Sequence, residues 1–452
     1  MKKHKLNFRY FPAVMTLAIP VMLQNLLNTV VGVTDNAMVG VLGEVPLSSV
    51  TLANKVYFVF SLFLFGAASA SSVIVSQYWG KRDLPTVRRI FILSGGVAFC
   101  IGLLFTGVCL LIPEQAMMLY TNDARLIEEG ASYLRIIGPA NIPAACCVLL
   151  LCTLRGVERA KIGLWLASLA AILNVVLNWM LIYGNCGFPA MGIEGAALAT
   201  MISRLGQFVG LVVYFAVSRD GFFRLSEVRR IDRELLQSCW KEMAPILFNE
   251  CMWGIGTSLY AVAYGHMGTD SVSAYSMASA FVDLMTVGGM GVGNGVSVLI
   301  GIAVGQNKRE EAMELARLGI VLGLMVGVTF ALITQIAFPI YVSFFEISES
   351  ARSYAEILKW LMSVQVIACC VNFITIVGIL RGGGDGRMAM ILDLCVLWPV
   401  CIPMTFIGTF WLGWPVYGVY ALVVVDEAVK LLLSVRRVLS GKWIRNFTKS
   451  FS

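Results

Sequence analysis

Several ionisable side chains stand inside long apolar stretches, among them Asp35, Lys55, Glu250 and Asp283. A charge in hydrocarbon costs about 3 kcal/mol on insertion scales, so each needs a reason to be there. A carboxylate that is charged when wet and neutral when dry can tie ion or proton binding to a change of conformation. Asp35, near the end of the first apolar stretch, fits that chemistry. Lys55 lies at a similar depth in the next stretch. It predicts either an Asp35–Lys55 pair that competes with an incoming cation, or a lysine that reaches for the surface. Glu250 and Asp283 predict a second acidic site later in the chain. Trp253, Tyr260 and Met285 crowd the same region, and Met and aromatic side chains suit apolar cations of varied shape. With Gln24 and Asn28 they are candidate substrate-contact residues, although ordinary helix packing uses the same types. Asp385, in a Gly-rich turn beside Arg381 and Arg387, reads as part of a structural charge network. Asp393 has no assigned role.

Other chemistries find little support. Histidine occurs only at His4 and His266, too few for a histidine metal site. The 12 cysteines contain no CxxC pair, and Cys146-Cys147 and Cys369-Cys370 sit in apolar runs, as small buried hydrophobes do. The run Gly382-Gly383-Gly384 lacks the Lys-Ser/Thr and the preceding strand of a phosphate-binding loop. No enzyme and no cofactor are expected, and no nucleotide-binding domain is visible to drive a process with ATP.

The elements that must hold these residues are membrane spans. Of 452 residues 58% are apolar and 13% charged, against about 25% charged in soluble proteins. A helix crosses a bilayer with about 20 apolar residues. Twelve such segments are expected near 11–39, 47–76, 86–111, 125–155, 159–183, 191–217, 240–264, 270–302, 312–338, 348–380, 387–410 and 414–439. The fold class is therefore an all-α polytopic membrane protein. The first segment follows Lys2, Lys3, Lys5 and Arg9 but is too long and too polar for a signal peptide, so it is read as a retained helix. Most of the 34 Lys and Arg residues fall on one side if the N-terminus is cytoplasmic, including a tail from Lys430 to Lys449. The positive-inside rule then places both termini in the cytoplasm of a cell membrane. The net charge of +7 is a matter of topology, and nucleic acid is not an expected partner.

The chain also repeats itself. Adding 225 carries Pro20 to Pro245, Gly40 to Gly265, Gly43 to Gly268, Gly66 to Gly291 and Gly80 to Gly305. A shift of 226 carries Leu154-Arg155-Gly156 to Leu380-Arg381-Gly382. Six spans in each copy give parallel repeats, which suits alternating access around a central cleft. The expected division is a lobe over 1–218, a cytoplasmic linker over 219–240 and a lobe over 241–452. The copies differ where the charges are. Asp35 and Lys55 face Tyr260 and Ala280, and Glu250 and Asp283 face Asn25 and Phe58.

Several motifs in order resemble the multidrug and toxic compound extrusion family. They are Asp35-Asn36-Ala37-Met38-Val39-Gly40, Gly66-Ala67-Ala68 and Gln77-Tyr78-Trp79-Gly80 in the first copy, and Gly291-Val292-Gly293 with Gly305-Gln306 in the second. The Leu-Arg-Gly pair, Asn174 to Asn178 and Gly195 to Thr200 extend the resemblance over nearly the whole chain. It implies two six-helix bundles and the export of drug-like or organic-cation substrates in exchange for Na+ or H+. It implies a cation site at Asp35, Asn174, Asn178 and Thr200, with oxygen ligands that suit Na+. It also likens Glu250 to a glutamate of the sodium-coupled members, while Cys369-Cys370-Val371-Asn372 lacks the carboxylate those members carry nearby. Asp283 is the candidate replacement. The expected partners are a small amphipathic cation and the lipid bilayer, and the expected state is a monomer. A lipid-linked saccharide flippase of the same superfamily and a non-transporting membrane receptor or scaffold are the alternatives.

Overall fold

The computed structural model describes residues 8–218, 221–222, 231–345 and 347–448. Lys2, Lys3 and Lys5, and the linker positions Arg219, Arg224, Arg229 and Arg230, lie outside the described residues. Among the described residues every regular element is helical. The first copy runs α1 (Phe11–Gly40), α2 (Glu44–Gly80), α3 (Leu84–Leu111), a short α4 (Pro113–Met118), α5 (Ala124–Ile137), α6 (Asn141–Gly156), α7 (Ala160–Tyr183) and α8 (Gly192–Val217). The second runs α9 (Arg233–Gly265), α10 (Thr269–Gly305), α11 (Arg309–Ser343), α12 (Glu349–Asn372), α13 (Gly386–Val396), α14 (Ile402–Phe410) and α15 (Val416–Leu439). Wider π-helical turns continue α12 through Phe373–Arg381 and join α13 to α14 through Leu397–Cys401.

Among the described residues the long helices group into twelve segments, because α5 joins α6 through the Pro-containing turn Gly138–Ala140 and α13 joins α14. Ten are long and apolar enough to cross a membrane on those grounds alone. The other two are α9 and α15, which carry Glu250 and the trio Asp426, Glu427 and Lys430 within their lengths. Helix α9 begins at Arg233, within the stretch expected as linker over 219–240.

Local signals set the helix ends. The Asp83 side chain accepts from the Thr86 N–H and caps α3, whose second residue is Pro85. Asp123 caps α5 through the Arg125 N–H, and Ser348 caps α12 through Ala351. Gly184, at φ 75°, ends α7 in the left-handed conformation that glycine adopts freely.

The duplication is built into these boundaries. Helices α2 and α10 each span 37 residues and both ends differ by 225. The turn after each holds a positive-φ residue at matching positions, Arg82 at 64° and Asn307 at 60°. A Cβ on Gly80 would lie 2.3 Å from the Ile302 carbonyl oxygen, and one on Gly305 would lie 1.9 Å from that of Gln77. Residues 77 and 302 are themselves 225 apart, so the two helix ends approach each other reciprocally. In lipid, helices associate through such close approaches rather than through hydrophobic drive.

The chain forms two compact units. One comprises Leu23–Val75 and Asp83–Met243. Its core gathers Val39, Val50, Ala53 and Val56 with Met117, Leu134, Ile182 and Ala196. Its outer surface is apolar as well. On α7, Trp165, Leu169, Ile172, Val176 and Trp179 follow helical spacing and are exposed, a stripe that suits lipid and not water.

The other unit contains the described residues from Ala244 onward, those up to Met22, and Ser76–Arg82. Val14 and Ala18 of α1 are fully buried there, packed with Val292, Val296 and Ile300 of α10. The chain after α15 closes this unit. Trp443 is buried, with its indole N–H on the Val438 carbonyl, 2.8 Å away. The Phe447 N–H donates to Gln77 Oε1 at 3.1 Å, and Lys81 Nζ donates to the Thr448 carbonyl at 2.9 Å. Asp385, wholly buried, pairs with Arg437 at 2.6 Å and Arg445 at 3.0 Å. This is a structural charge network of the expected kind, but Arg437 and Arg445 take the place of Arg387 and Arg381.

Candidate functional site

Asp35 lies one turn before the end of α1 and is half-buried. Its Oδ1 accepts from Asn178 Nδ2 at 2.5 Å. The same Nδ2 reaches Asn174 Oδ1 at 3.3 Å, and Asn174 Nδ2 reaches Thr200 Oγ1 at 3.3 Å. Asn174 and Asn178 sit four residues apart on α7, so helical geometry stacks their amides on one face. Both are buried, and Thr200 of α8 closes the row. Tyr183 donates to the Met38 carbonyl at 2.8 Å and fixes α7 against the end of α1. The four residues expected to act together are thus one hydrogen-bonded chain across three helices.

This chain is rich in oxygen. The Asn178 Oδ1 is buried without a hydrogen-bond partner among the described residues. Leaving such an acceptor unmet costs about 1–3 kcal/mol. A hard monovalent cation would be met by that oxygen, the Asp35 carboxylate and the Thr200 hydroxyl. A proton on Asp35 would serve the same electrostatic end.

Lys55 is exposed and makes no ion pair with Asp35 among the described residues. The cation whose charge reaches Asp35 is Arg204, on α8, whose guanidinium stands over the Tyr57 ring. Sequence reasoning passed over Arg204 and Tyr133. An arginine inside an apolar span was the available signal.

The second unit holds a larger charged network. Glu250 Oε1 pairs with Arg381 at 2.7 Å, and the Arg381 side chain is 2% exposed. Lys430 is equally buried and stands 2.8 Å from Asp426, 3.2 Å from Asp393 and 3.7 Å from Glu427. Asn249 donates to Asp393 at 2.9 Å, and Asn372 to Glu427 at 2.8 Å. Lys430 therefore belongs to the interior and not to a basic cytoplasmic tail. Its i,i+3 and i,i+4 spacing from Glu427 and Asp426 was legible, but the positive-inside count absorbed it.

Asp283 does not join this network. It is exposed on α10, with no hydrogen bond or ion pair to its carboxylate among the described residues. Among the substrate-contact candidates, Tyr260 and Met285 are buried in the hydrophobic core and Trp253 packs against it. Gln24 is half-buried and Asn28 exposed on α1.

The family model MatE matches this chain twice, over residues 20–180 and 245–407. Both matches open at the repeated proline. A probable multidrug resistance protein NorM of Thermotoga maritima is 25% identical over 94% of this chain and 92% of its own length. A protein of the same description from Rhizobium meliloti is 28% identical over 91% and 89%. Among solved structures, a multidrug resistance MATE family transporter of the MOP superfamily in an outward-facing conformation superposes with a TM-score of 0.83 at 20% identity, covering 95% of this chain and 96% of that one. A MOP superfamily transporter from Pyrococcus furiosus, described by a reversed polarity of its binding pocket, gives 0.79 at 20% identity.

Proposed function

The chain belongs to the MatE family, and we propose that it is a secondary active exporter that releases drug-like small molecules outward in exchange for Na+ or H+. The observation that carries this reading is the row Asp35, Asn178, Asn174 and Thr200, joined by hydrogen bonds inside membrane-spanning helices. A carboxylate there is costly when charged and unpaired. A cation entering from outside neutralises it and changes what the surrounding helices can pack against. Loss of that cation to the cytoplasm restores the charge. Each state favours a different packing, and this difference in affinity is what an ion gradient can drive. Curated relatives described as multidrug resistance proteins support the class of substrate.

Glu250 has a different part in this reading. Its charge is already balanced by Arg381, so it stabilises the second unit and contributes less to coupling. The protein works as a monomer in the cytoplasmic membrane, with both termini inside, as the distribution of Lys and Arg supports.

The test is transport of a fluorescent drug in proteoliposomes under imposed Na+ or pH gradients. One of the two gradients should drive export by the wild type, and Asp35→Asn should abolish the coupling while leaving folded protein. Glu250→Gln should lower yield and thermal stability more than coupling. Drug movement that neither gradient drives would refute the antiport reading.

A further inference from the structure

The run Gly382-Gly383-Gly384 has no part in the cation chemistry. It lies under the chain that follows α15. A Cβ on Gly383 would run into the Trp443 ring. One on Gly384, at φ 88°, would lie 2.6 Å from both the Arg445 carbonyl oxygen and the Phe447 ring. Gly382 meets α10, where a Cβ would stand 2.8 Å from the Ser297 carbonyl oxygen. Only a turn bare of side chains lets residues 441–448 lie so close. They form a strap seated on that turn.

The strap is fastened unequally. On the second copy, the Arg445 N–H donates to the Gly383 carbonyl at 2.8 Å. Asn446 Nδ2 donates to the Val304 carbonyl and to Asn307 Oδ1, each at 2.9 Å, and Arg309 donates to the Gly441 carbonyl at 3.0 Å. The Arg445 guanidinium pairs with the buried Asp385, and Trp443 is wholly buried. From the first copy it takes the end of α2. Gln77 Nε2 donates to the Arg445 carbonyl at 3.3 Å, the Phe447 N–H donates to Gln77 Oε1 at 3.1 Å, and Lys81 Nζ donates to the Thr448 carbonyl at 2.9 Å. Adding 225 carries Gln77 and Lys81 to Ile302 and Gln306, so this pair of amide and ammonium belongs to the first copy alone.

Helix α2 is continuous, yet its residues up to Val75 belong to one compact unit, and Ser76–Arg82, with its last turn, to the unit that holds the strap. When parallel repeats move in alternating access, the end of α2 follows its own helix or stays with the strap. It cannot do both. A buried tryptophan and a buried ion pair keep the strap on the second copy, so the contacts to Gln77 and Lys81 are the ones that break. The positive-inside rule puts these contacts on the cytoplasmic side.

We propose that residues 441–448 are a latch on the end of α2. The latch stays seated on the second copy throughout. It holds Gln77 and Lys81 while the protein is closed to the cytoplasm and releases them when the protein opens inward to load its substrate. The proposal rests on the transport reading above.

The test locks the latch. Full-length Lys81→Cys with Thr448→Cys is joined by a short bifunctional thiol reagent that a reducing agent cleaves, and transport of a fluorescent drug is followed in proteoliposomes. Joined, the protein should stop transporting, and reduction should restore it. Each single-cysteine variant treated alike should stay active. Loosening the latch gives the opposite sign. Apparent affinity rises with the fraction of protein open to its ligand. Lys81→Met, at an exposed position, should therefore lower the KM for drug on the cytoplasmic face about threefold or more, the scale of one hydrogen bond. Lys81→Arg, which keeps a donor, should leave KM unchanged. A joined protein that still transports, or a Lys81→Met protein that melts earlier with KM unmoved, overturns the latch and leaves a purely structural fastening. If the double-cysteine variant does not fold, the KM measurement decides alone. A wild type that neither gradient drives defeats the antiport reading and the latch together, whereas an active wild type with an active joined form defeats the latch only.

Discussion

Replacing Lys430 with methionine keeps the length of the side chain and removes its charge. In the native protein that ammonium lies 2.8, 3.2 and 3.7 Å from Asp426, Asp393 and Glu427, with the lysine side chain only 2% exposed. Taking away one partner of a buried ion pair leaves the other charge desolvated, at about 3–5 kcal/mol. The three carboxylates would also repel one another. Unfolding temperatures of units this size move by about 2–4 °C per kcal/mol. Lys430→Met should therefore lower the melting temperature by about 6–20 °C, read from intrinsic tryptophan fluorescence of the detergent-purified protein. The reasoning makes a second demand. Asp426 is the nearest carboxylate, and its other oxygen has no hydrogen bond among the described residues. Lys430→Met with Asp426→Asn should recover at least half of the loss, because the pair leaves together. A single variant that melts within about 2 °C of the wild type, or a double variant no better than the single, would show that the network does not carry this energy.

Two further outcomes follow from packing and capping. Gly305→Ala should reduce folded yield and stability, by about 1–3 kcal/mol or more, because its Cβ would collide with the Gln77 backbone; Gly96→Ala on α3, where a Cβ meets nothing within 4 Å, should be neutral or mildly stabilising by thermal melt. The Asp123 carboxyl, outside the spans, is held below the usual carboxylate range, first by the Arg125 side-chain hydrogen bond and then by the Arg125 backbone N–H. A lowered folded-state pKa means stability that is present above the unfolded value, near pH 4, and lost as pH falls through the folded one. Asp123→Ala should thus lower the melting temperature at neutral pH, and its gap to the wild type should shrink as pH drops below about 4.

The sequence carried the architecture because both of its signals are local or periodic. Apolar length gave the twelve spans. The repeat gave two helices of equal length whose ends are offset by a constant number. The row from Asp35 to Thr200 was legible through the resemblance, and i,i+4 spacing explains why Asn174 and Asn178 share a face. What was missed depends on tertiary contacts between distant helices. Lys430 looks like one more basic residue near a C-terminal tail until α13 and α15 bring Asp393, Asp426 and Glu427 around it. Arg204 shows in sequence only as an arginine inside an apolar span; its place over the Tyr57 ring depends on how α2 and α8 pack. Tyr260 and Met285 were placed in a substrate path by residue type, and the packing of α9 and α10 encloses them. Lys55 is exposed and makes no ion pair with Asp35 among the described residues.

The first copy lends part of itself to the second. Val14 and Ala18 are buried against α10, and Gln77 and Lys81 hold the chain after α15. A gene cut between α8 and α9 would therefore not yield two independent folding modules. The second fragment, made alone, would present the bare flank of α10 and an unfastened final strand of chain to the membrane and to its quality-control proteases. Co-produced, the fragments have a reason to find each other. Functional complementation by split genes, with the second fragment unstable alone, is the behaviour this loan of segments encodes. It also bears on how a duplicated ancestor became a single chain: once the second copy had come to need segments of the first, fusion secured equal amounts of both.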